Sequence, residues 1–361
     1  PPMTLPSWSS MLTGTNPGKH GIFDFVHRRR PSWELEFVNS SHRAVPTLHQ
    51  LLSEDGARVA SLCVPTTWPP DPVDGVVISG FDSPVSTGID ASHCSSEGLF
   101  KELRARFGGV HFADFNECRI DKDWHARARR SLLDEIPRKE AIARWLLSRE
   151  RWDLMMLLWG EIDTACHHFW AICDPESPRH CPARSRGLED TIREVYRSID
   201  QSVGRLLDAA RPDLVCVCSD HGFGGASAHV LYLNHFLEQH GWLRSAEARR
   251  SSSARLLDSA RSAVARHIPH ERQGALFRAL PNVFLGRTET ASRLGRVDIP
   301  DSRAFSDEMN YAVTLRLNLP KSQHREAVEE LGECLGDWSV DGEPVVEALH
   351  YRDDLYWGDC V

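Results

Sequence analysis

Four short, nearly continuous apolar runs constrain the fold of this chain most strongly. They cover residues 59–64, 76–79, 154–159 and 214–218. Strands that are buried on both faces have this character, because helices cover both sides of a parallel sheet. The segments between the runs carry apolar residues at three- and four-residue steps, the period of an amphipathic helix. The alternation predicts an α/β protein with a mostly parallel central sheet and helices on both faces.

The remaining elements follow the same patterns. A fifth strand is predicted at residues 312–317. Helices are predicted at residues 47–53, 97–107, 132–150, 186–210, 229–240 and 323–335. From about residue 243 to 296 an Arg-, Ala- and Ser-rich stretch keeps helical spacing but loses the strand signals. We therefore expect a catalytic α/β domain over residues 1–242, a helical insertion or cap over 243–296, and a return to the α/β domain over 297–361.

Composition limits the functions to consider. The chain has 361 residues, of which 41% are hydrophobic, enough for a large packed core. Its formal net charge of −9 argues against a nucleic-acid polymer as partner, and its apolar runs are strand-sized rather than membrane-sized. The 10 cysteines include no Cys-x-x-Cys pair, which favours reduced thiols and a cytoplasmic location. The chain begins inside a motif and without Met, so we interpret it as a fragment that lacks both ends of a longer protein.

The first motif lies at the start of the chain. It reads Thr4-Leu5-Pro6-Ser7-Trp8, then Thr13-Gly14, then Asn16-Pro17-Gly18-Lys19-His20-Gly21-Ile22. Pro6 suits a first helical turn, and a short helix is predicted from there to Gly14. Thr4 would then precede a helix N-terminus, where free N–H groups and the helix dipole favour a bound phosphate. A helix cap without any chemistry is the alternative reading.

The second motif follows the third apolar run. Asp163 and His167 lie four residues apart, so in a helical turn they share one face and can bind one metal ion. A capping Asp163 and a surface imidazole at His167 are the alternative.

The third motif ends the fourth apolar run, where Asp220 and His221 are followed by Gly222. Ligands in open α/β sheets lie just past the carboxyl ends of the strands. Adjacent Asp and His side chains can both reach a metal ion if the backbone turns sharply, which Gly222 permits. A charged turn after a strand is the alternative. Together, the motifs supply one hydroxyl and two Asp–His pairs, the components of a two-metal displacement at phosphorus.

These three motifs, in this order, resemble the type I phosphodiesterase/nucleotide pyrophosphatases of the alkaline phosphatase superfamily. The stretches around His20 and Asp220 are closer still to a branch described as predicted phosphohydrolases/phosphomutases. The resemblance implies an alkaline-phosphatase-like fold with a helical insertion. It also implies metal-dependent hydrolysis of a small phosphate ester, as a phosphodiesterase or a phosphomonoesterase, through a phosphothreonine intermediate. A nucleotide-like substrate is one option.

Residue roles follow from the resemblance by position. Thr4 would be the nucleophile. Asp163 and His167 would hold one divalent ion, and Asp220 and His221, with Thr4, the other. The ions implied are Zn²⁺, with Mn²⁺ as the alternative. The family pattern also contains a metal-binding Asp before the nucleophile and a late metal-binding His, and neither has a match in this chain. His20 is expected to be structural.

Three other functions share this fold. A phosphomutase would use the same nucleophile and return the phosphate to its substrate. A non-catalytic metal-binding relative would be expected to lose a motif residue, yet all five matching positions are intact. A sulfatase derives its nucleophile from Cys or Ser in a Cys-x-Pro-Ser-Arg frame, where this chain has Thr4 and Trp8.

Overall fold

A computed structural model describes residues 3–80, 90–110, 121–246, 282–307 and 314–361. Its strands are β1 Val26–Arg28, β2 Leu35–Phe37, β3 Val59–Leu62, β4 Gly75–Ile78, β5 Leu154–Leu157, β6 Ala304–Phe305, β7 Arg316–Leu317, β8 Ser339–Val340 and β9 Glu343–Pro344. Its helices are α1 Thr4–Thr13, α2 Pro17–His20, α3 Leu48–Glu54, α4 Glu97–Phe107, α5 Trp124–Arg149, α6 Glu161–Cys173, α7 Pro182–Ser185, α8 Thr191–Ala210, α9 Leu233–Gln239, α10 Asn282–Leu294, α11 His324–Gly336 and α12 Arg352–Leu355. Within these ranges, no helix is both long and apolar enough to cross a bilayer.

The central sheet of the described part is parallel, in the order β4–β3–β5. Val59 pairs with Gly75 on one side and with Leu154 on the other. All four residues of β3 are buried. Three of the predicted strands are therefore confirmed, as is their parallel arrangement.

Helices cover both faces of this sheet. Along β5, Met155 and Leu157 pack into the core formed with α4 and α5, whereas Met156 packs with Trp8 and Leu12 of α1. Side chains that alternate along a strand point to opposite faces, so the two cores lie on opposite sides of the sheet. The predicted α/β class with helices on both faces is confirmed.

A third core joins the helices that follow the sheet. Leu132 and Ile136 of α5, Phe169 of α6 and Val195 of α8 are all fully buried against one another. These helices satisfy the predicted periodicity, since each buries one apolar stripe.

The predicted strand at residues 214–218 is wrong. The structure assigns it no strand, and Leu214 and Val217 are 86% and 88% exposed. The apolar sequence favours burial, but a strand also needs a hydrogen-bonded neighbour. In the part of the chain that the structure describes, β5 carries no strand on its side away from β3.

The predicted strand at residues 312–317 is seen only at Arg316–Leu317. Residues 312 and 313 lie outside the described ranges, and residues 314 and 315 are described without strand structure. That short strand pairs antiparallel with β6, away from the parallel sheet.

The helix predictions hold with shifted ends. The predicted 97–107 helix is α4 with the same bounds, the 132–150 helix starts earlier at Trp124, and the 186–210 helix starts later at Thr191. The predicted 229–240 helix is shorter, at Leu233–Gln239.

The insertion predicted at residues 243–296 is described only at its two ends. In it, α10 packs on β2, where the Leu35 N–H donates to the Thr290 hydroxyl at 2.8 Å. The domain boundaries stay a prediction.

Candidate active site

Thr4 is the first residue of α1 rather than the residue before it. The helix begins two residues earlier than predicted because proline is tolerated throughout a first turn, where its missing N–H has no helical partner. It ends as predicted, with Gly14 left-handed at φ 64° and its N–H bonded to the Ser10 carbonyl at 2.8 Å. No side chain caps the N-terminus. As the first two N–H groups of the helix, those of Thr4 and Leu5 have no partner within α1, and anions bind helices at this position.

His20 links α1 to the loop that follows α2. Its Nδ1 accepts the Ile22 N–H at 3.1 Å, so the ring proton is on Nε2, which donates to the Ser10 hydroxyl at 3.0 Å. Burial, aided by the nearby charge of Arg43, lowers the pKa of His20 to about 4. A neutral imidazole thus ties α1 to the loop after α2, as the structural reading of His20 expects.

The first turn of α6 presents Asp163 and His167 together. The helix starts directly after β5 and the Trp159–Gly160 turn, which places Asp163 third and His167 one turn later. His167 Nε2 lies 3.7 Å from Asp163 Oδ1. The pair shares one helix face, as the four-residue spacing predicts.

Asp220 and His221 reach the same place from the segment that lacks strand structure. His221 Nε2 lies 3.6 Å from Asp163 Oδ1 and 3.6 Å from Asp220 Oδ2. One imidazole from each predicted pair, His167 and His221, therefore lies beside Asp163 Oδ1, and Asp220 joins through His221.

Asp163 is partly exposed, but its two oxygens differ. The side chain as a whole is 46% exposed, while Oδ1 is buried and accepts no hydrogen bond. Burial raises the pKa of Asp163; His167 and His221 oppose the shift, and Asp220 adds to it. A desolvated carboxylate beside two imidazoles is a site where a cation would be favourable.

Within each Asp–His pair, the separation is compatible with two ligands of one ion. N–O distances of 3.6–3.7 Å exceed the hydrogen-bond range. Two ligands at about 2.1 Å from one tetrahedral ion lie roughly 3.4 Å apart. The donor types fit zinc, yet no group of three or more such side chains in the described ranges is positioned to hold an ion. Thr4 forms no hydrogen bond or ion pair with these four residues in the same ranges.

One aromatic residue that the sequence reasoning missed joins the two halves of the site. The Phe223 ring lies 4.7 Å from the His167 ring and 5.5 Å from the His221 ring, and it stacks on Trp170 at 6.0 Å. Its position two residues after His221 was the available signal, but nothing in that spacing shows a contact with α6.

Comparison with known proteins places the chain in a family. The family model for type I phosphodiesterase / nucleotide pyrophosphatase matches residues 1–340. The chain therefore belongs to this family, within the alkaline phosphatase superfamily. The membership supports phosphoric ester hydrolysis at the family level, and the family is generally dependent on divalent metal ions. No curated protein and no solved structure matches the chain.

Proposed function

We propose that this protein hydrolyses a phosphate monoester or diester through a covalent phosphothreonine at Thr4. The observation that carries the proposal is that the imidazoles of both Asp–His pairs, His167 and His221, lie beside Asp163 Oδ1. In a chain of this family, four such donors beside a sheet end fit a metal-dependent phosphoester hydrolase. The substrate is a small phosphorylated compound.

The metal ligands are assigned from the motifs. Asp163 and His167 hold one divalent ion, and Asp220 and His221, together with Thr4, hold the other; Zn²⁺ is proposed, with Mn²⁺ as the alternative. Bound divalent ions lower the pKa of a coordinated hydroxyl and stabilise the charge on the attacking and leaving oxygens.

The residues of the chain carry the two steps. The Thr4 hydroxyl gives its proton to solvent, Oγ1 attacks phosphorus, and the bond from phosphorus to the leaving alkoxide breaks. The alkoxide takes up a proton from solvent. The N–H groups of Thr4 and Leu5 stabilise the negative charge on the phosphoryl oxygens. Water then attacks phosphorus, the bond to Thr4 Oγ1 breaks, and phosphate or its monoester leaves.

The test is hydrolysis of an aryl phosphomonoester and an aryl phosphodiester by the full-length protein, with Zn²⁺ or Mn²⁺. Thr4→Ala should lower kcat by more than about 1,000-fold, because a covalent route loses its nucleophile. Thr13→Ala is the matched control. This variant removes a threonine hydroxyl from the other end of α1. Among the described residues, the Thr13 hydroxyl bonds to the Ser9 carbonyl and the Thr15 hydroxyl, so activity should remain.

The two esters and the phosphate balance separate the alternatives. The preferred ester identifies the substrate class, and stoichiometric free phosphate excludes a mutase. Full activity in Thr4→Ala would refute the proposed nucleophile. Metal binding without turnover of any phosphate ester would favour the non-catalytic relative.

A further inference from the structure

A buried ion pair lies directly beneath the first turn of α6. Lys139 of α5 and Glu161, the first residue of α6, are 5% and 2% exposed. Lys139 Nζ lies 2.7 Å from Glu161 Oε1 and donates to the Leu158 carbonyl at 3.1 Å. One ammonium group therefore binds both sides of the turn that leads from the sheet into the helix.

A gain in stability alone does not explain this buried ion pair, because burying two charges costs free energy. Burial lowers the pKa of Lys139, but the adjacent carboxylate of Glu161 outweighs this and keeps the pKa above its ordinary value. Glu161 Oε2 is buried and has no hydrogen-bond partner. Apolar residues of similar volume often replace such pairs without loss of stability, which indicates another reason for this one.

Nothing else caps this end of the helix with a side chain. The N-cap residue is Gly160, and no side chain bonds to the free N–H groups there. Asp163 follows Glu161 by two residues, in the same turn. The direction in which Asp163 Oδ1 points thus depends on how that turn is held against the end of β5.

We infer that Lys139 and Glu161 are positioning residues, which hold the first turn of α6 so that Asp163 and His167 face Asp220 and His221. The inference rests on the proposed function, in which these four residues bind metal. It adds two residues that touch neither substrate nor metal and act through Asp163.

The chain offers a matched control in the next residue along α5. Glu140 is also buried, at 6% exposure, and it accepts bonds from Arg205 at 2.7 Å and from Ser202 at 2.8 Å. Both partners belong to α8, so this network ties α5 to the bundle without touching α6.

The test uses three forms of the full-length protein: wild type, the double variant Lys139→Met/Glu161→Met, and Glu140→Gln. We expect the double variant to fold, since both charges leave together and the replacements are apolar and of similar length. Its zinc affinity should fall about 10- to 100-fold, the usual cost of losing an outer-shell partner. Glu140→Gln should bind zinc as the wild type does, even if its stability to urea is lower.

A second readout needs no metal. Hydrogen exchange of the metal-free proteins should show faster exchange at residues 161–166 in the double variant and unchanged exchange there in Glu140→Gln. Native zinc affinity with native exchange in the double variant would overturn the inference. A wild type that binds no zinc, but whose α6 turn loosens in the double variant, would refute the proposed function and leave the positioning role standing.

Discussion

The two regions that carry the predicted metal ligands are built very differently. Asp163 and His167 lie on α6, whose inner face buries Ala165 and Phe169 completely. Asp220 and His221 follow a segment without assigned helix or strand, in which Val217 is 88% exposed. The two regions nevertheless present their side chains to one another at 3.6 Å.

The difference shows how far the packing of each region determines the position of its own side chains. A helix satisfies its backbone internally, so the amphipathic pattern of α6 places its inner face in the core and leaves Asp163 and His167 together on another face. An extended segment depends on a neighbour for its hydrogen bonds, and the apolar pattern of residues 214–218 does not provide one. We expect α6 to set the geometry of the site and the second segment to contribute chemistry with little stability.

The largest expected effect tests whether both regions serve one centre. Asp163→Asn and Asp220→Asn should each lower metal-dependent ester hydrolysis by at least about 100-fold, because each removes the charge of a proposed metal ligand. Steady-state kinetics with saturating Zn²⁺ measure this. Asp213→Asn, at the exposed start of the second segment, should keep its activity. Full activity in Asp220→Asn would remove the second region from the site.

Substitutions in the two regions should differ in their effect on stability: a large loss is expected in α6 and almost none in the second segment. Phe169→Ala should cost about 3–5 kcal/mol, since it leaves a cavity among α5, α6 and α8. Val217→Ala should change the free energy of unfolding by no more than about 0.5 kcal/mol, as exposed positions do. Urea unfolding followed by circular dichroism measures both. A cost of several kcal/mol for Val217→Ala would mean that this segment is buried in solution.

The smallest expected effect is the contribution of the buried His49 to the pH dependence of the free energy of unfolding. Burial, with Arg43 nearby, lowers the pKa of His49 from 6.5 to about 4. The unfolded chain binds this proton more readily than the folded one, so stability is full above pH 6.5 and falls as the pH drops towards 4. His49→Gln should weaken that dependence in urea titrations at several pH values. An unchanged slope would show that His49 does not contribute.

Local patterns predicted much of this molecule, and non-local contacts account for the rest. The parallel strands and the bounds of α4 follow from apolar periodicity and a Gly108 helix end, which are properties of neighbouring residues. Lys139 sits in an amphipathic helix as an ordinary surface charge would, and only the three-dimensional structure shows that it is buried and paired with Glu161. Phe223 likewise gains its role from α6, so no spacing within its own segment could reveal it.

The most direct test of the account is to look for the covalent intermediate. Full-length protein is mixed with an aryl phosphomonoester and Zn²⁺, quenched in acid within one turnover, and its peptides are analysed by mass spectrometry. The account predicts one phosphate on Thr4, present in the wild type and missing in Thr4→Ala. Turnover without a phosphorylated residue, or with phosphate on another side chain, would contradict it.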